Sequence, residues 1–117
     1  MEMAIAVTEP VWAVTSKKLN EAVRRLVVAA RPSRIILFGS HATGHPGRDS
    51  DVDLMVIQDE VKDPAAESVR LRRTLKDLVM AMDLVVVSRE QFDYWRDTPG
   101  NVFFEASTDG KVLYEAA

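Results

Sequence analysis

The sequence predicts an α/β or α+β fold, with one sheet covered by helices. Three observations lead there. The chain has 117 residues, room for one core of ordinary domain size and not two. Three short apolar runs, Ile35–Phe38, Val52–Ile57 and Met82–Val87, have strand length and strand composition. Stretches with helical spacing of apolar residues separate them, and strands alternating with helices give this class.

The elements follow in order. Residues 1–14 hold a short apolar stretch, Ala4 to Val7, then Glu9-Pro10 and Val11-Trp12, and read as an arm or a short strand. From Ser16 to Ala30, residues Leu19, Ala22, Val23, Leu26, Val27 and Ala30 recur at helical intervals, with Lys17, Lys18, Glu21, Arg24 and Arg25 off that face. Thr15 or Ser16 can cap this helix. Arg31-Pro32-Ser33 ends it, because proline disfavours the helical region at the residue before it.

Ile35-Ile36-Leu37-Phe38 is a continuous apolar run, as expected of a strand buried on both faces. Gly39 to Ser50 is a polar loop or short helix, and Val52–Ile57 is the second strand. Asp63-Pro64 has the form of an N-cap with proline at the first helical position. The helix it opens is expected to run to about Met82, burying Leu71, Leu75, Leu78, Val79 and Met82. Met82–Val87 is the third strand. Ser88 with Gln91 is a capping-box pattern for a helix to about Arg96. Thr98-Pro99-Gly100 is a turn, and Val102 to Ala106 a further helical turn. Asp109-Gly110 turns the chain into a short terminal strand, Lys111–Tyr114.

Composition excludes several functions. Charged residues are 28% and apolar residues 47%, an ordinary globular balance. A chain of this length buries roughly two thirds of its unfolded surface, enough for a core without staples. With no cysteine there is no disulfide, thiolate metal site or Cys nucleophile. The net charge of −3 argues against a non-specific nucleic-acid binder. The acid at Glu2 stands where a signal peptide is basic, and no apolar run reaches the ~20 residues of a membrane span. A cytoplasmic protein of a prokaryote-like cell is the expectation.

Three features carry chemistry. Gly39-Ser40 directly follows the first strand. Glycine lets backbone approach a ligand closely, and a helix opening there would offer free N–H groups, its positive dipole end and the Ser40 hydroxyl to a phosphate. Asp51 and Asp53, two apart around a strand start, project to one face. Such like charges favour a proton or a cation between them, and hard oxygen ligands suit Mg²⁺ or Mn²⁺. Taken alone, a D-x-D pair is more often a solvated acidic turn. Asp83 opens the third strand at the same relative place. If those strands are neighbours, three carboxylates meet at one edge of the sheet. Three carboxylates can hold two divalent ions and take a proton from an attacking hydroxyl, which is what in-line nucleotidyl transfer requires.

Together the residues read G-S-x₁₀-D-x-D between two apolar strands. This resembles the signature of the nucleotidyltransferases of the DNA polymerase beta superfamily. More closely, the chain resembles the minimal nucleotidyltransferase (MNT) antitoxins of HEPN/MNT toxin–antitoxin modules. The stretches Ile35–Ser40, Ser50–Val56, Met82–Val86 and Asp109–Tyr114 carry the likeness. It implies a single palm-like nucleotidyltransferase domain over residues 15–117, with a mixed β-sheet flanked by helices. Gly39 and Ser40 would hold the β- and γ-phosphates of ATP. Asp51, Asp53 and Asp83 would be the catalytic, metal-ligating acids, with two Mg²⁺ ions expected and Mn²⁺ as an alternative. The implied function is a type VII-like antitoxin that transfers AMP to a hydroxyl, with tyrosine the expected acceptor, of a cognate HEPN-type ribonuclease toxin. No membrane or direct nucleic-acid partner is implied, and a homo-oligomer remains open.

One departure stands out. Many relatives read G-S-x-A-R-G, whereas this chain reads Gly39-Ser40-His41-Ala42-Thr43-Gly44, with Thr43 at the arginine. His41 and Arg48 are the candidates to offset phosphate charge in its place. Two other functions stay in view: a non-catalytic antitoxin that masks its partner, and an aminoglycoside-type nucleotidyltransferase. The latter generally adds a helical acceptor domain that this chain lacks.

The remaining residues read more plainly. His41 and His45 lack a third ligand of matching type for zinc. Arg34, Arg48 and Arg89 are surface charges before they are phosphate contacts. Arg70, Arg72, Arg73 and Lys76 make one helix partly basic, a wet face unless a partner covers it. Met80 and Met82 suit gap filling. Phe92, Tyr94, Trp95, Phe103 and Phe104 belong to the core, unless an exposed subset marks an interface. Trp12 carries the same ambiguity.

Overall fold

A computed structural model describes residues 13–44, 46 and 51–117. The expectations placed on residues 1–12 with Trp12, and on His45 and Arg48, lie outside the described residues. The elements are α1 (Ser16–Ala30), β1 (Arg34–Phe38), α2 (Ser40–Thr43), β2 (Val52–Gln58), α3 (Pro64–Thr74), β3 (Met82–Ser88), α4 (Arg89–Trp95), α5 (Val102–Asp109) and β4 (Lys111–Glu115). None of the described helices is long and apolar enough to cross a membrane.

The caps are those the residue types favour. The Thr15 hydroxyl accepts from the Lys18 N–H at 3.1 Å, Asp63 from Ala66 at 3.1 Å and Ser88 from Gln91 at 3.1 Å. The Asn101 side chain caps α5 by accepting from the Phe104 N–H at 2.9 Å, and α5 runs to Asp109 rather than ending near Ala106.

The four described strands are ordered β3-β2-β1-β4. β1 is antiparallel to both β2 and β4, whereas β2 and β3 run parallel. The sheet is therefore mixed. Side chains alternate across it, and each face has its own core. On one side Ile35, Leu37, Leu54, Val56, Leu84 and Val86 pack against Ala22, Leu26 and Ala30 of α1 and Leu71 of α3. On the other, Ile36, Phe38, Met55, Ile57 and Val87 pack against Phe92 of α4 and Ala106 of α5. The chain enters β4 through Gly110, where an added Cβ would collide with the Ala106 carbonyl and the Ile36 side chain.

One helix is shorter than its spacing predicts. α3 ends at Thr74, not near Met82, and Val79 is 50% exposed rather than buried. Residues 75–81 contain no glycine or proline, so tertiary contacts override a good helical stretch. Arg25 of α1 donates to the Thr74 carbonyl at 3.0 Å, and the Lys18 ammonium donates to the Val79 carbonyl at 2.8 Å. These cations from α1 hold carbonyls in the turn that links α3 to β3. Leu75 and Met80 remain buried there, with Leu78 and Met82 packed against the same core.

Candidate active site

Topology gathers the acids. Because β2 and β3 are parallel, their N-termini lie at one end of the sheet, and Asp53 pairs directly with Asp83. Asp51 sits one residue before β2, whose ladder begins with Val52 N–H to the Ala81 carbonyl at 2.9 Å. β1 is antiparallel to β2, so it delivers its C-terminus to the same end: Phe38 lies opposite Asp53, and Gly39 follows.

Gly39 is required by two constraints at once. Its φ of +76° and ψ of −159° lie in a region that L side chains rarely adopt. An added Cβ would also stand 3.3 Å from the Asp53 Cγ and closer still to its Oδ2. The short helix α2 then begins at Ser40 without a side-chain cap, with the Ala42 N–H donating to the Gly39 carbonyl at 3.0 Å. The Thr43 hydroxyl donates back to the Ser40 carbonyl at 3.2 Å.

Asp51 and Asp83 are exposed, while Asp53 is half-buried. Burial raises the Asp53 carboxyl above the usual carboxylate range; the charges of Asp83, Asp51 and Glu105 push the same way, and His41 opposes them. Gly39, Ser40, His41, Asp51, Asp53 and Asp83 thus share one end of the sheet. Arg34 and Arg89 do not: they pair with Glu115 at 3.1 Å and Asp59 at 3.3 Å at the opposite end.

Two residues join the site without a sequence signal of their own. Glu105 of α5 acts electrostatically on Asp53. Arg72 of α3 donates to the Asp83 Oδ1 at 3.2 Å, so one cation of the basic helix face belongs to the site. Its neighbour Arg70 pairs instead with Glu67 at 2.7 Å.

The donor set suits a hard divalent cation in its chemistry: carboxylates only, at one sheet end, one of them desolvated. Among the described residues, however, no three His, Asp or Glu side chains already form a metal cage. The expected meeting of Asp51, Asp53 and Asp83 is one of register and sheet end, and Asp83 is engaged by Arg72.

The nucleotidyltransferase domain family matches residues 16–107, and the chain belongs to that family. No curated protein matches the chain. Solved structures share the fold. A Sulfolobus solfataricus protein assigned as a nucleotidyltransferase aligns with a TM-score of 0.62 at 17% identity, over 85% of this chain and 78% of its own. A toxin–antitoxin complex with AMP-PNP aligns with a TM-score of 0.56 at 24% identity, over 82% and 73%. A tri-AMPylated Shewanella oneidensis HEPN toxin in complex with its MNT antitoxin aligns with a TM-score of 0.54 at 20% identity, over 86% and 71%.

Proposed function

We propose that this nucleotidyltransferase is an antitoxin that transfers AMP from ATP to a hydroxyl of a partner protein, with a tyrosine of a HEPN-type ribonuclease toxin as the expected acceptor. The observation that carries the reading is the register pairing of Asp53 with Asp83 beside the Gly39-Ser40 turn. Structural likeness to a complex holding AMP-PNP and to one holding an AMPylated toxin supports the substrate and partner.

In this reading the turn at Gly39 and Ser40 receives the β- and γ-phosphates, with His41 beside it; Arg48 is the further candidate for phosphate contact. Asp51, Asp53 and Asp83 would hold divalent ions, with Mg²⁺ expected and Mn²⁺ the alternative. Such ions, when bound, neutralise the triphosphate and lower the barrier to in-line displacement. A site carboxylate accepts the proton of the acceptor hydroxyl. The acceptor oxygen forms a bond to the α-phosphorus as the bond to the bridging oxygen breaks, and pyrophosphate leaves. Asp83, at the exposed start of β3, would ligate one ion and help activate the acceptor hydroxyl.

A second reading is a masking antitoxin with an idle site. It is favoured by Arg72 on Asp83 and by Thr43, whose hydroxyl is used within α2. Incubation with ATP, Mg²⁺ and the protein encoded by the neighbouring gene separates the two. The transferase reading predicts that the partner gains AMP and that Asp51→Ala and Asp53→Ala abolish the gain. Neutralisation of the partner without any AMP on it supports masking.

A further inference from the structure

A groove of about 330 Å³ lies immediately beside Asp83, with Arg72, Leu75, Lys76, Val79 and Met82 among its lining residues. Its lining is mixed: apolar side chains from the turn after α3, with two cations. Arg72 belongs to both groove and site, since the guanidinium that lines the groove is the one bonded to Asp83 at 3.2 Å.

Placement gives the groove its meaning. The Gly39-Ser40 turn follows β1, whereas the groove is lined by the end of α3, the turn after it and Met82 at the start of β3, on the Asp83 side of the acids. A triphosphate seated at the turn would leave the groove side for the second substrate.

Charge narrows what can enter. Asp77, in the same turn, is held by Arg25 of α1 through both carboxylate oxygens, and that hydrogen bonding lowers its carboxyl below the usual range. The charged residues that line the groove are then Lys76 and Arg72, the latter shared with Asp83. The turn is also fixed in advance: Leu78 N–H donates to the Leu75 carbonyl at 2.9 Å, and Lys18 binds the Val79 carbonyl at 2.8 Å. A preformed surface loses less entropy on binding.

We propose that this groove docks the acceptor segment of the partner protein, an aromatic hydroxyl residue flanked by acidic residues. The apolar wall at Val79 and Met82 takes the ring, and Arg72 and Lys76 meet the flanking carboxylates. The proposal rests on the transferase reading above, and its test keeps the two apart.

Fluorescein-labelled peptides carrying one tyrosine between glutamates, between lysines or between alanines are titrated against the full chain by anisotropy, without nucleotide. ATP affinity is read separately by calorimetry. The glutamate peptide is expected to bind about tenfold more tightly than the lysine peptide. Lys76→Glu should invert that order, and Val79→Asp should weaken the glutamate peptide by about tenfold. Circular dichroism of both variants checks the fold. Charge-ordered binding by a chain that binds no ATP overturns the transferase reading and keeps a docking groove. ATP binding with equal affinity for all three peptides, or an order unmoved by Lys76→Glu, overturns the groove. Tighter binding of a single-stranded RNA oligomer than of the glutamate peptide also overturns it.

Discussion

The two ends of the sheet treat charge in opposite ways. At the far end, where β1 starts and β2 and β4 finish, acids meet cations. Arg34 pairs with Glu115, Arg89 with Asp59 and Glu67 with Arg70, while the buried Gln58 amide donates to Glu67 at 2.8 Å and to the Ala30 carbonyl at 3.0 Å. At the near end, the charges of Asp83, Asp51 and Glu105 act together on Asp53, and Arg72 is bonded to Asp83. Paired charges are what a fold needs to remain folded. A cluster of like charges works against folding and is kept where a ligand or a reaction needs it.

The largest expected effect lies at the near end. Asp53→Asn should lower AMP transfer by about 10²–10³-fold, the scale of losing one preorganised electrostatic group; single-turnover assays with the partner protein read it. Stability should move the other way. Because the folded state raises the Asp53 pKa, folding is favoured below the unfolded value and that contribution is lost as pH rises through the folded one. At neutral pH the ionised Asp53 therefore costs stability, and asparagine removes the cost. The Tm of Asp53→Asn should equal or exceed that of the parent at pH 7, with the difference shrinking toward pH 3.

Next comes Gly39→Ala. A side chain at that φ and ψ is strained by about 1–3 kcal/mol, and the added carbon displaces Asp53. The urea midpoint should fall and transfer should fall with it. At the far end, Glu67→Gln should cost about 1–2 kcal/mol at pH 7, the scale of a charge-assisted hydrogen bond, and leave transfer intact. Hydrogen bonding to Arg70 lowers the Glu67 pKa to about 2. Its contribution is therefore present above the unfolded value and is lost as pH falls through about 2. Parent and variant should converge there in denaturant titrations. Smallest is Arg89→Ala. Its ion pair is exposed on both sides, and a change within ~0.5 kcal/mol is expected.

The sequence made some of this legible and hid the rest for identifiable reasons. Ile35–Phe38, Val52–Ile57 and Met82–Val87 announce themselves as strands because local apolar composition decides them, and the caps at Thr15, Asp63 and Ser88 are local chemistry. The G-S-x₁₀-D-x-D spacing singles out Gly39, Ser40, Asp51 and Asp53, and Asp83 stands at the matching place at the start of its own strand. Strand order and direction are long-range, so the parallel pairing of Asp53 with Asp83 could only be posed as a condition. The end of α3 was hidden by Leu75, Leu78 and Met82, which keep a helical interval while sitting on a turn and a strand. The carbonyls of Thr74 and Val79 are instead bonded by Arg25 and Lys18, 49 and 61 residues upstream. Glu105 has no local signal, because only the packing of α5 on the sheet brings it near Asp53.

The contrast between the two ends is tested most directly by measuring AMP transfer and urea stability for Asp53→Asn and Glu67→Gln side by side. The predicted result is a crossed pattern: Asp53→Asn loses transfer and keeps or gains stability, while Glu67→Gln keeps transfer and loses stability. Transfer that survives Asp53→Asn, or that falls equally in both variants in step with stability, would contradict the assignment of chemistry to the Asp53 end of the sheet.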